Sequence, residues 1–118
     1  MPTKYEFREH FLYAKDFKQL AKKVASLPED LVNFRKFIGG VDFTNNKRFV
    51  TLHHDCDQQI RIVKTRLMAR SLKGSSQLRL VFLVDECLGS ILLIELYLKS
   101  QQAREDEARI QKCLKQVE

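Results

Sequence analysis

The sequence predicts an α+β fold: an N-terminal helical hairpin packed on a three- to four-stranded antiparallel sheet, closed by a C-terminal helix. Three observations lead there. Two apolar stripes at helical spacing precede residue 40, three β-branched and aromatic runs joined by short turns lie between residues 59 and 99, and a charged C-terminal segment carries a narrow apolar stripe. Helices and strands that are segregated along a chain place the helices against an antiparallel sheet.

Residues 4 to 8 are a candidate short strand. Phe17, Leu20, Ala21 and Val24 then fall at i, i+3, i+4 and i+7, the spacing of an amphipathic helix. Ser26-Leu27-Pro28-Glu29 interrupts it and combines a capping-box spacing with a proline tolerated in a first turn. A second helix follows, bearing Leu31, Phe34, Phe37 and Ile38, and Gly39-Gly40 stops it. The stretch Val41 to Asp57 is polar, with Phe49 to His53 a further candidate strand. Gln59 to Ala69, Gln77 to Asp85 and Ser90 to Lys99 read as a three-stranded meander, because connections as short as Glu86-Cys87-Leu88-Gly89 join only antiparallel neighbours. Ala103, Ile110, Leu114 and Val117 give the last helix its apolar face.

The chain of 118 residues is 44% hydrophobic, enough for one core and too short for two, so residues 1–118 read as a single domain. Four Gly and two Pro are too few for a collagen-like or low-complexity chain. The longest apolar stretch, Leu80 to Leu98, contains Asp85, Glu86 and Glu95, which argues against a membrane span. The first residues lack the apolar stretch of a secretory signal, and Cys56, Cys87 and Cys113 are odd in number without a CxxC pair. The expectation is a cytoplasmic protein whose thiols are reduced and sit in or near the core without chemistry. No GxGxxG or P-loop is present, which removes nucleotide-cofactor folds from consideration.

Charge is unevenly placed. Lys and Arg number 21 against 15 Asp and Glu, a net +6. Between Asp57 and Asp85 there is no acidic residue, yet the interval holds Arg61, Lys64, Arg66, Arg70, Lys73 and Arg79, six cations that equal the whole excess. So confined a block predicts a local positive potential suited to a phosphate backbone. Strand alternation puts Lys64 and Arg66 on one side of the first long strand with Ile60, Ile62 and Met68. Arg79 shares a side with Val81 and Leu83. On the last strand Glu95, Tyr97 and Lys99 oppose Leu92, Ile94, Leu96 and Leu98, the better core face. In a suitable register Lys64, Arg66, Arg79, Tyr97 and Lys99 meet on a helix-free face. Cations and a phenol without a metal or other cofactor suit cleavage of RNA by its own 2′-hydroxyl, a reaction that needs phosphate orientation, charge stabilisation and proton transfer. The plain alternative is a solvated sheet face.

His53-His54-Asp55-Cys56-Asp57 contains metal-ligating side chains, but consecutive residues seldom wrap one ion, and a polar loop or strand end is the better reading. His53 or His54 as a general acid is a separate option. Tyr97 either contacts RNA, by stacking or by hydrogen bonding, or anchors the sheet.

The run RIVKTRLMARSLKGSSQLRLVFLVDE followed by SILLIELYLKSQQ resembles toxins of the RelE/ParE superfamily, from bacterial type II toxin–antitoxin modules. The resemblance lies in Lys64 and Arg66, Lys73-Gly74, Arg79 and Tyr97-Leu98-Lys99-Ser100, with Leu27-Pro28-Glu29-Asp30-Leu31 as the inter-helix turn. It covers roughly Leu27 to Leu114, apart from residues 40 to 58. Where the family often has glycines before the middle strand and a Tyr within it, this chain has Ser75-Ser76-Gln77 and Phe82. Where some members carry a Tyr or His in the last helix, it has Glu105, Asp106 and Glu107. The RelE-like branch implies a metal-independent, cofactor-free endoribonuclease that cleaves mRNA, often on the ribosome, and is neutralised by a cognate antitoxin. Lys64 and Arg66 would then bind phosphate or assist proton transfer, Arg79 would stabilise transition-state charge, and Lys99 would add a cation. Arg61, Arg70, Lys73 and Tyr97 would contact RNA. The alternatives on the same fold are a ParE-like gyrase poison and a basic nucleic-acid or protein-binding module.

Overall fold

The computed structural model describes residues 5–39, 43, 48–71 and 78–117. Its elements are β1 (Glu6–Glu9), α1 (Phe11–Ala21), α2 (Leu27–Ile38), β2 (Phe49–Asp55), β3 (Ile60–Leu67), β4 (Leu78–Asp85), β5 (Ser90–Leu98) and α3 (Glu107–Val117). The strands form one sheet in the order β1-β5-β4-β3-β2. Neighbours from β2 to β5 are antiparallel, and β1 lies parallel to β5. The class is α+β, but the expected three- to four-stranded antiparallel sheet becomes a mixed sheet of five. A strand precedes the two helices, so the chain does not open on the hairpin. β1 supplies backbone partners to β5 over Ser90–Leu93, which a bare β5 flank would otherwise lack.

Local chemistry explains the helix starts. The amide of Leu12 donates to Nδ1 of His10, the N-cap of α1, at 3.2 Å. Pro28 occupies the first turn of α2, where no intrahelical donor is required. The expected capping box does not form: the Ser26 hydroxyl donates to Asp30 (2.6 Å) and accepts from the Ser71 amide (2.9 Å). Glu29 and Asp30 both pair with Arg70. The start of α2 is thereby tied to the end of β3, a long-range partner that the sequence spacing does not reveal.

Both faces of the sheet are buried. Tyr13 and Leu20 of α1 and Leu27, Leu31, Phe34 and Ile38 of α2 pack on Val63, Leu80, Phe82, Ile91, Leu93 and Leu96. Phe82 is central, with the rings of Phe34, Phe43 and Phe49 at 6.1, 5.7 and 6.4 Å in edge-on arrangements. On the other face Ile110 and Cys113 of α3 cover Ile60, Ile62, Val81, Leu83, Ile94 and Tyr97. The expectation of a helix-free face is therefore corrected. Side chains such as these each gain about 1.5–3 kcal/mol on leaving water, so so apolar a surface recruits a cover.

A bulge in β5 corrects the predicted strand faces as well. Val81 pairs with Glu95 and Phe82 with Leu93, leaving Ile94 as the extra residue. Leu96 and Leu98 consequently lie on the hairpin face with Ile91 and Leu93, whereas Leu92 and Ile94 lie on the α3 side. Near the bulge, Leu96 N–H donates to Asp16 of α1 (3.2 Å), and Arg109 of α3 donates to Asp16 (2.7 Å) and to the Ile94 carbonyl (2.9 Å). Glu95, 2% exposed, accepts from the Asp106 amide and from Gln102 Nε2, both at 2.8 Å. Its carboxylate thus lies at the N-terminal end of α3, where a negative charge is favoured. The helix begins at Glu107, so Ala103 precedes it.

The β2–β3 and β4–β5 turns share one design. Asp55 accepts from the amides of Asp57 and Gln58, and Asp85 accepts from that of Leu88. Each turn ends on a left-handed residue, Gln59 (φ 56°) and Gly89 (φ 65°). Among the described residues, no helix is long and apolar enough to cross a membrane.

Candidate functional site

The cationic residues assemble where α3 leaves the sheet uncovered. An open pocket of about 620 Å³ is lined by Arg48, Val50, Lys64, Thr65, Arg66, Arg79 and Lys99. Each cation arrives by a separate route. Arg48 immediately precedes β2, Lys64 and Arg66 alternate along β3, Arg79 is the second residue of β4, and Lys99 follows β5. The register aligns them: Arg66 stands opposite Arg79, Arg79 opposite Tyr97, and Lys64 lies between Val50 and Val81. Like charges directly opposite on neighbouring strands oppose folding.

Hydrogen bonds fix parts of the wall. Arg48 Nη2 donates to the Arg66 carbonyl (3.2 Å), Thr65 Oγ1 donates to the Arg48 carbonyl (3.3 Å), and Arg79 Nη1 donates to the Leu78 carbonyl (3.0 Å). Lys64 Nζ donates to Glu105 at 2.9 Å, with the Glu105 side chain only 12% exposed. Burial alone would raise the Glu105 carboxyl. The hydrogen bond from Lys64, a backbone hydrogen bond and the charges of Lys64 and Arg104 outweigh it and hold the group below the usual carboxylate range. Glu105 therefore supplies a carboxylate beside a largely cationic wall.

Of the residues singled out from sequence, Lys64, Arg66, Arg79 and Lys99 share this pocket. Arg61 does not; it pairs across from His54, and Nη1 donates to Thr51 Oγ1 at 2.9 Å. Arg70 is engaged by Glu29 and Asp30, which makes it part of the α2 anchor. Lys73 lies outside the described residues, as do the other residues of 72–77 and most of 40–47. Tyr97 is buried against α3. Burial, with Glu105 and Glu95 adding to it against Arg79, pushes its phenol up to about 12, and its position is that of a sheet anchor.

His53 and His54 lie toward the other end of β2, with His54 Nε2 3.8 Å from the exposed Cys56 Sγ. Among the described residues no three His, Cys, Asp or Glu side chains converge as a metal site. Cys113 is buried, and burial raises its thiol, but Cys56 and Cys87 are exposed, contrary to the expectation of core or partly buried thiols. Two site residues escaped the sequence reading. Arg48 sits in the unassigned polar stretch before β2, and Glu105 enters through a contact with Lys64 across 41 positions. The Arg48-Phe49 junction, a cation abutting a candidate strand, was the only local signal.

No family model and no curated relative matches the chain. A solved structure that does match is the crystal structure of an archaeal RelE–RelB complex from Pyrococcus horikoshii OT3, at 17% identity and a TM-score of 0.60. The match covers 83% of this chain and 98% of that chain. A fold match over nearly the full length of the neighbour agrees with the resemblance read from the β3–β5 motifs, and on that basis the chain has a RelE-like fold.

Proposed function

We propose that the protein is the toxin of a type II toxin–antitoxin pair and cleaves mRNA without a metal, on the ribosome or free, in the cytoplasm, until a cognate antitoxin covers it. The observation that carries this reading is the convergence of Arg48, Lys64, Arg66, Arg79 and Lys99 on one pocket, with Arg66 directly opposite Arg79. The RelE-like fold supports it.

In this reading Arg66 and Arg79 hold the scissile phosphate, a role for which the guanidinium fork is better suited than an ammonium. Lys64, oriented by Glu105, and Lys99 add charge that offsets the pentacoordinate transition state. The RNA 2′-oxygen attacks phosphorus and its proton passes to water in the open pocket. The bond to the 5′-oxygen breaks, and that oxygen takes a proton from a neighbouring ammonium or water. The products are a 2′,3′-cyclic phosphate and a 5′-hydroxyl. An antitoxin segment carrying carboxylates would neutralise the same cations.

Expression should arrest growth, and purified protein with ribosomes should cut messenger, both effects being lost in Arg79→Ala. Intact messenger with harmless expression would refute the reading. The burial of Tyr97, together with a pocket wall lacking histidine, favours as the second reading a non-catalytic use of the basic face. That protein would bind nucleic acid or gyrase, and binding or gyrase inhibition without RNA cleavage would identify it.

A further inference from the structure

On the β2 side of the pocket lies an aromatic surface that phosphate binding does not use. Leu31, Phe34 and Ile38 turn the apolar face of α2 into the core, while Phe37 in its last turn is 48% exposed. The guanidinium carbon of Arg48 lies 5.5 Å from the Phe37 ring centroid. Arg48 is held in turn by the Arg66 carbonyl and lines the pocket. Arg48 therefore belongs to two environments, one cationic and one aromatic.

We propose that Phe37 and Arg48 form a nucleobase subsite, which takes an unpaired base of a single-stranded RNA whose phosphate lies among Lys64, Arg66 and Arg79. The proposal rests on the phosphate-binding reading above and adds to it a base and a strandedness. A bare phosphate or an acidic peptide would use the cations and gain little from an exposed ring. A base presents a flat π-face that stacks on an aromatic side chain or on a guanidinium plane. A duplex hides those faces in its own stack, so the combination selects single strands.

The test uses the full chain and fluorescently labelled 2′-O-methyl oligonucleotides, which bind but lack the attacking hydroxyl. Wild type should prefer a base-containing oligomer over its abasic counterpart, and over the same sequence in a duplex, by about 5- to 150-fold, the range for one stacked base. Phe37→Leu should remove that preference while leaving abasic binding and its salt dependence unchanged. The chain has no Trp, so Phe37→Trp places a single indole at the site. Its fluorescence should be quenched by the base-containing oligomer and not by the abasic one. Equal binding of both oligomers by wild type, or an indole blind to the base, would overturn the subsite while salt-dependent binding kept the phosphate reading intact. An acidic peptide that competes as well as the base-containing oligomer would also overturn it. Failure of every oligomer to bind would overturn both readings.

Discussion

Replacing Arg79 with Met should stabilise the fold and abolish the proposed RNA cleavage. Arg79 and Arg66 are direct cross-strand partners, with Lys64, Lys99 and Arg48 lining the same pocket. Two unit charges about 5.5 Å apart repel by about 0.8 kcal/mol in water and by about 3 kcal/mol at an effective dielectric of 20. Solvent reaches this open pocket, and directly opposed like charges on strands cost up to about 1 kcal/mol, so a relief of about 0.5–1 kcal/mol is expected. Methionine keeps an unbranched apolar stem and removes the charge. At about 2.1 cal/mol/K per residue, unfolding entropy for this length turns that relief into a rise of about 2–4 °C in Tm. Thermal melts at about 0.01 M and 1 M salt, where the Debye length falls from about 30 to about 3 Å, should show the gain at low salt and its disappearance at high salt. RNA cleavage by the same preparation should fall at least about 100-fold, the scale for losing a transition-state charge contact. A variant that melts lower at both salt concentrations would show Arg79 to be a structural residue, and one that cleaves normally would remove it from the site.

Two further outcomes follow from particular contacts. Glu105→Gln should cost about 1.5–3 kcal/mol at neutral pH by breaking a charge-assisted hydrogen bond. Because the folded carboxyl is held below its unfolded value of about 4.3, the wild-type advantage is complete above that pH and disappears as pH falls through the folded value; urea titrations from about pH 7 to 3 should show the two curves converging on the acid side. Gly89→Ala should cost about 1–2 kcal/mol, since φ is 65° there, measured by chemical denaturation, and an unchanged midpoint would contradict the left-handed turn.

The parts of this molecule that were legible in the sequence are those written in local patterns. Gln77 to Asp85 and Ser90 to Lys99 announced β4 and β5 through β-branched and aromatic runs, and the stripe of Leu31, Phe34 and Ile38 announced α2. Lys64, Arg66, Arg79 and Lys99 were found together because strand alternation is a strict geometric rule. What stayed hidden depended on contacts distant in sequence. The bulge at Ile94 shifts the phase of β5 by one residue, so Leu96 and Leu98 change company, and nothing in a run of Ile and Leu marks the position. Ser26 had the spacing of a cap, but Ser71 and Asp30 offered stronger partners. The α3 cover was missed because Lys64, Arg66 and Arg79 made one end of that face look solvated, while Ile60, Ile62, Val81 and Leu83 made the other end a core. Arg48 and Glu105 reached the pocket only through folding.

The clamp of Asp16 and Arg109 over β5 bears on association as well as on stability. β1 pairs with β5 only as far as Leu93, and the amide of Leu96 and the carbonyl of Ile94 lie beyond it. In most sheets such groups are a template on which a second chain can lay a strand. Here a carboxylate and a guanidinium, brought from two different helices, occupy those positions, so this flank is sealed by an ion pair in place of a sixth strand. The outer edges that remain among the described strands are those of the four-residue β1 and of the longer β2, the border along which Arg48 and Val50 open into the cationic pocket.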